Sequence, residues 1–210
     1  PFTVASPALS AVPRPKYRYD FTETYDYLRL FPVQAWQAAE QRVFQRGVAH
    51  IQPANGDFGY REQLVNYLAR LKNLHVQPEQ IVITSGFNEA AGIIAQLVPA
   101  FHEQGLSVAE PIASNARSVW QTLAVPVTQF RELANLPDSA GYVLSPTHNF
   151  PSGAGMTAVQ RQEFAAWLQE RQRYLIELDT DGNLTYSGQP TPAIHHYLEG
   201  ERCFYYTNFD

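Results

Sequence analysis

The sequence predicts an α/β fold, a mostly parallel sheet with helices on both faces. Three observations carry this. Short β-branched or apolar runs alternate with longer stretches whose apolar residues recur at helical spacing. The short runs are apolar throughout rather than at every second residue, the pattern of strands covered on both faces. Runs such as "YVLSP" (142–146) then break into polar, glycine-containing loops that lead into a helix. In an open α/β sheet that carboxyl edge is where ligands sit.

The elements follow in chain order. Residues 34–46 set Trp36, Ala39, Val43 and Phe44 at helical spacing, and 59–72 do the same with Leu64, Tyr67, Leu68 and Leu71. "QIVIT" (80–84) predicts a first buried strand, followed by the glycine turn and apolar helix of "SGFNEAAGIIAQLV". "LSVAEP" (106–111) predicts a second strand, with a helix from about Asn115 to Leu123. "VPVTQF" (125–130) and "GYVLSP" (141–146) predict a third and a fourth strand. Residues 157–173 predict an amphipathic helix with Thr157 as N-cap and Val159, Phe164, Trp167 and Leu168 on one side. "YLIEL" (174–178) and "CFYYTNF" (203–209) predict a fifth and a sixth strand. There is no internal repeat.

The chain has 210 residues, enough for one good core. Hydrophobic residues at 45% and charged residues at 17% place it among ordinary globular proteins. A net charge of −5 argues against this piece gripping a nucleic-acid backbone by itself. No apolar run approaches the roughly 20 residues that span a bilayer, so no membrane partner is expected. The single cysteine, Cys203, excludes an internal disulfide, reads as core filler and suits a reducing, cytoplasmic setting. Residues 1–16, "PFTVASPALSAVPRPK", hold four prolines and no period, and read as a proline-rich linker before a domain at 17–210. A linker implies something upstream, and a strand at the very end implies that the sheet continues past Asp210.

Chemistry has few places to live. Ser85, Gly86, Phe87 and Asn88 stand between a strand and a helix, a layout whose unpaired amides and helix dipole suit a phosphate. A bland strand-to-helix turn has the same look. "DTDG" (179–182) has its glycine two positions early for a calcium loop and no closing glutamate. His195-His196 lacks a third ligand at metal spacing and reads as a surface pair, so no metal site is predicted. His148 reads first as a histidine tying down loop backbone. There is no nucleophile elbow and no Walker lysine.

The order of the pieces is more specific than any one of them. "GDFGYREQLVNYLARLKNLHVQPEQIVITSGFNEAAGII", "SPTHNFPSGAGMT", "LIELDTDGNLTYSGQPTPAI" and "CFYYTNF" follow one another. Together they closely resemble the aminotransferase-like domain of MocR-type regulators in the GntR superfamily, from about Tyr17 to Asp210, with a shortened stretch between about Val127 and Gly141. The resemblance implies the large-domain part of the type I pyridoxal phosphate (PLP) transferase fold, with its C-terminal part missing. It also implies a homodimer, an upstream winged-helix domain that would contact DNA, and a possible small-molecule effector.

The cofactor machinery of such proteins can be carried over position by position. Ser85, Gly86, Phe87 and Asn88 match the phosphate turn, and His148 and Asn149 lie in the matching "HNFPSG" loop. Three parts depart. Leu178 falls where the aspartate contacting the pyridine nitrogen should be, and Thr180 where a tyrosine should be. Ala113 falls at the aromatic that covers the cofactor face. The Schiff-base lysine would come one residue after Asp210. Asp179 could replace the lost acid only through a slip or bulge, because neighbours on a strand point to opposite faces. The expectation is therefore no catalytic residue in this chain. PLP is implied by resemblance alone, in the effector-sensing or dimerisation domain of a transcription regulator with a degenerate pocket. The alternatives are a fragment of an active PLP-dependent aminotransferase, or a fold kept for dimer formation alone.

Overall fold

A computed structural model describes residues 18–19, 31–47, 53–112, 114–180, 182, 191–198 and 202–208. The chain divides into two compact units, Pro1–His50 and Ile51–Asp210. Within the first, α1 (Val33–Arg46) ends at Gly47, whose φ of +84° suits glycine and whose N–H donates to Phe44 O. The helix is as predicted, but Trp36, Val43 and Phe44 are exposed rather than buried. The Phe31 ring lies against Trp36 at 5.4 Å.

The second unit holds α2 (Phe58–Lys72), α3 (Phe87–Leu97), α4 (Ala100–Gln104), β1 (Leu106–Ala109), α5 (Ser114–Thr122), β2 (Val127–Phe130), β3 (Gly141–Leu144), α6 (Ala158–Glu170), β4 (Tyr174–Asp179) and β5 (Cys203–Thr207). The five strands run in the order β2-β1-β3-β4-β5. Every pairing is parallel, for example Leu106 with Gly141, Gly141 with Tyr174, and Leu175 with Cys203. The predicted parallel sheet is thus observed.

Side-chain alternation splits the core into two layers. Val108, Val143, Ile176 and Leu178 face α3 and α5, packing with Ala91, Ile94, Val119 and Trp120. Tyr142, Leu144 and Leu175 face the other way, against Phe164, Ala165 and Leu168 of α6. A smaller cluster joins Leu68 and Leu74 to Ala193, with Ile81 and Tyr205 against it. Gly141 opens β3 because nothing larger fits. A Cβ there would lie 2.9 Å from the Phe101 ring and 3.0 Å from Tyr174.

Two expectations need correction, and two features went unforeseen. "QIVIT" is not a strand. Pro78–Gln80 forms a 3-10 turn that ends in an extended Ile81, and residues 81–84 join no ladder among the described residues. Ile83 N–H instead donates to Asn55 O at 3.1 Å. A β-branched run favours extended backbone, but a strand also needs a neighbour to pair with. The short α4 went unforeseen. The helix predicted over 157–173 stops at Glu170, and Val159 at its start is exposed, while Phe164 and Leu168 are buried. Thr157 caps that helix as expected, in a reciprocal box with Gln160. Finally, α2 begins at Phe58, where Asp57 accepts from Tyr60 N at 2.7 Å, an N-cap the periodicity did not reveal.

Candidate functional site

Three loops carry the residues singled out in the sequence. The first leads into α3. Gly86 is its N-cap, with φ of +147° and no side-chain cap of its own. The cap comes from inside the helix. Glu89 Oε2 accepts from Ser85 N at 2.6 Å and from Ser85 Oγ at 2.8 Å. These two bonds, the backbone one first, hold the Glu89 carboxyl below its ordinary range. Phe87 turns inward, its ring edge-on to Tyr206 at 5.1 Å and to Trp120 at 6.1 Å. Ser85 and Asn88 are exposed. Of the four residues predicted to cradle a phosphate, one is already bonded to an internal carboxylate and one is an aromatic plug.

The second loop follows β3. Asn149 N donates to Ala154 O at 3.1 Å, and Gly153, with φ of +67°, donates to Asn149 O at 2.7 Å. Ser152 Oγ donates to Asn149 O at 3.2 Å. The turn is held from below by the buried Arg161 of α6. Its guanidinium donates to the carbonyls of Met156 at 3.1 Å, Pro192 at 2.9 Å and Pro146 at 2.8 Å. Burial lowers the Arg161 pKa, and the Glu177 charge opposes this. His148 is exposed at the tip. Asn149 Oδ1 is buried and has no hydrogen-bond partner.

The third loop follows β4, and here neighbouring residues have opposite fates. Leu178, 6% exposed, sits in the α3–α5 layer opposite Tyr206 of β5. Asp179, 1% exposed, points to the other face. Lys72, the last residue of α2 and 3% exposed, meets Asp179 Oδ2 at 2.6 Å and donates to Gly182 O at 2.7 Å. The Tyr205 hydroxyl donates to the same carboxylate oxygen. Burial, and then the Asp179 charge, push the Tyr205 pKa far up. Gly182 is required by closeness, since a Cβ there would collide with Asp179. The β4–β5 register runs without slip or bulge, so Asp179 stays on the face opposite Leu178. Thr180 is exposed just past the strand. Ala113, the remaining predicted position, lies outside the described residues.

Two residues before Asp179, Glu177 is fully buried on the same side of the strand. It accepts from Ile194 N and His195 N, both at 3.0 Å, at the start of the 3-10 turn Ile194–Tyr197. Burial raises its pKa from 4.5 to about 7, against the pull of the two amides and of Arg161. His195 is half-buried, and burial lowers its pKa. His196 is exposed and bonds Asn73 O at 3.0 Å. Burial raises the Cys203 thiol pKa well above its ordinary value, as suits core packing. Among the described residues no histidine, cysteine and carboxylate cluster could hold a metal.

Sequence reasoning missed Glu89, Lys72, Glu177 and Arg161. Only Glu89 carried a signal, as an acid at the third position of a predicted helix. The other three are buried charges whose partners are distant in sequence.

The likenesses to known proteins agree with this architecture. A Bacillus subtilis protein, the uncharacterized HTH-type transcriptional regulator YdeL, is 27% identical over 193 residues, covering 85% of this chain and 41% of its own length. The HTH-type pyridoxine biosynthesis transcriptional regulator PdxR of Corynebacterium glutamicum is 28% identical over 167 residues, 76% of this chain and 36% of its own. The chain therefore spans about two fifths of the regulators it matches. Among solved structures, Pyrococcus horikoshii kynurenine aminotransferase superposes with a TM-score of 0.73 at 19% identity, over 86% of this chain and 49% of that one. A Thermus thermophilus aspartate aminotransferase mutant gives 0.67 at 20%, over 81% and 50%. These structures share the fold. The profile of aminotransferases of class I and II matches residues 22–135, more than half of the chain, and the chain belongs to that family.

Proposed function

We propose that this is the effector-sensing or dimerisation domain of an HTH-type transcription regulator, built on the aminotransferase fold around a pocket that no longer suits PLP. The observation that carries this is the end of β4. A PLP enzyme uses a carboxylate to keep the pyridine nitrogen protonated, so that the ring can act as an electron sink. Leu178 lies in an apolar layer there, and the adjacent Asp179 is held on the opposite face by Lys72 and Tyr205. The residues described here do not fit the cofactor, and no catalytic step is derived through it. The regulator relatives support the reading, since their likeness extends over 85% and 76% of this chain. DNA contact would belong to an upstream domain, which accords with the net charge of −5.

The test uses the full-length protein. Its binding to DNA from its own promoter region is measured by mobility shift, alongside amino-group transfer to a 2-oxo acid with PLP added. DNA binding by a dimer, without transfer, is expected. Steady turnover without DNA binding would replace this reading with that of a working aminotransferase.

A further inference from the structure

We propose that Glu89 is the built-in anion of the α3 turn, taking up the two Ser85 donors beside which a ligand phosphate would sit and so barring phosphorylated cofactors of the pyridoxal class. This rests on the reading above, in which the pocket descends from a cofactor site, and it names the residue that closes the phosphate end.

A helix start offers unpaired N–H groups and the positive end of the macrodipole, so it attracts an anion. At α3 an internal carboxylate already stands beside that end, bound to the residue before the N-cap. One oxygen, Glu89 Oε2, takes both the N–H and the hydroxyl of Ser85, at 2.6 and 2.8 Å. Gly86, the N-cap, brings no side chain that could compete. A phosphate seated on Ser85 would have to displace this carboxylate and would then stand beside it, two like charges at one helix end. The next residue reinforces the closure. Phe87 turns its ring onto Tyr206 and Trp120, and Tyr206 lies opposite Leu178. The phosphate end thus meets a carboxylate, and the nitrogen end meets a leucine.

The experiment uses the full-length protein and two probes, inorganic phosphate and pyridoxamine phosphate. The latter lacks an aldehyde and cannot form Schiff bases with stray amines. Binding is read by calorimetry and by tryptophan fluorescence, since Trp120 touches Phe87. Wild type is expected to show no saturable binding of either probe. Glu89→Gln removes the charge and Glu89→Ala empties the position. With folding checked by circular dichroism, each should gain phosphate affinity by at least about tenfold, the effect of removing one close like charge. Adding Leu178→Asp to Glu89→Gln should favour pyridoxamine phosphate over inorganic phosphate. Stoichiometric binding of pyridoxamine phosphate by wild type, in competition with phosphate, overturns the proposal. So does an identical phosphate response in wild type and both Glu89 variants. Either failure leaves the regulator reading to be decided separately by the DNA-binding and transfer assays.

Discussion

Replacing Glu177 by glutamine should remove a pH dependence from the stability of this domain. The carboxyl is fully buried, and its pKa rises from 4.5 to about 7 on folding. The folded state therefore holds the proton more tightly than the unfolded chain does. The resulting stabilisation is complete below 4.5, fades as pH rises, and is gone above about 7. At about 1.4 kcal/mol per pKa unit, the swing across this window is on the order of 3 kcal/mol. The amide replacement has a cost of its own. Glu177 accepts from two backbone N–H groups, whereas a carboxamide offers only one oxygen, leaving one donor unpaired at about 1–3 kcal/mol. Wild type should thus be the more stable protein at the acid end of the window, and the gap should vanish or reverse at the alkaline end. His195 works in the opposite sense, because burial lowers its pKa and disfavours the fold as the imidazole takes up a proton. The difference between the two proteins, rather than either curve alone, isolates Glu177. Urea denaturation midpoints at several pH values between about 4.5 and 8 supply the measurement. Parallel wild-type and variant curves would refute the reasoning.

Two further substitutions address the buried charges. Lys72→Met should destabilise the domain by about 3–5 kcal/mol, because it strands the Asp179 carboxylate without its ion partner. Pairing it with Asp179→Asn should recover part of that loss, and thermal denaturation of the single and double variants gives the comparison. Arg161→Met should cost about 3 kcal/mol, since three loop carbonyls lose their donor. It should also speed proteolysis within residues 146–156, which a timed thermolysin digest followed by mass spectrometry would locate.

The sheet was legible in the sequence because its strands are locally encoded. "GYVL" and "YLIELD" are apolar runs between turn residues, and their burial on two faces follows from their composition. "QIVIT" shows the limit of that logic. Ile81 to Thr84 have the propensity of a strand, but pairing is a property of neighbours and cannot be read from four residues. The site was legible in part. The opposite orientation of Leu178 and Asp179 followed from strand periodicity alone. That Lys72, at the end of a helix 107 positions earlier, is the residue that holds Asp179 did not follow, because a long-range ion pair leaves no periodic trace. Glu177 was passed over for a similar reason. An acid inside a strand looks like an exception until the amides of Ile194 and His195 are seen to meet it.

The attachment of Asp179 to Lys72 fastens the end of β4 to the end of α2, elements far apart along the chain. Moving the carboxylate one position back along the strand would orphan a lysine ammonium sealed in the interior, free the Tyr205 hydroxyl and undercut the Gly182 carbonyl's donor. The pair works as a clasp: a change at either position is felt at the other, so the two tolerate replacement best when replaced together.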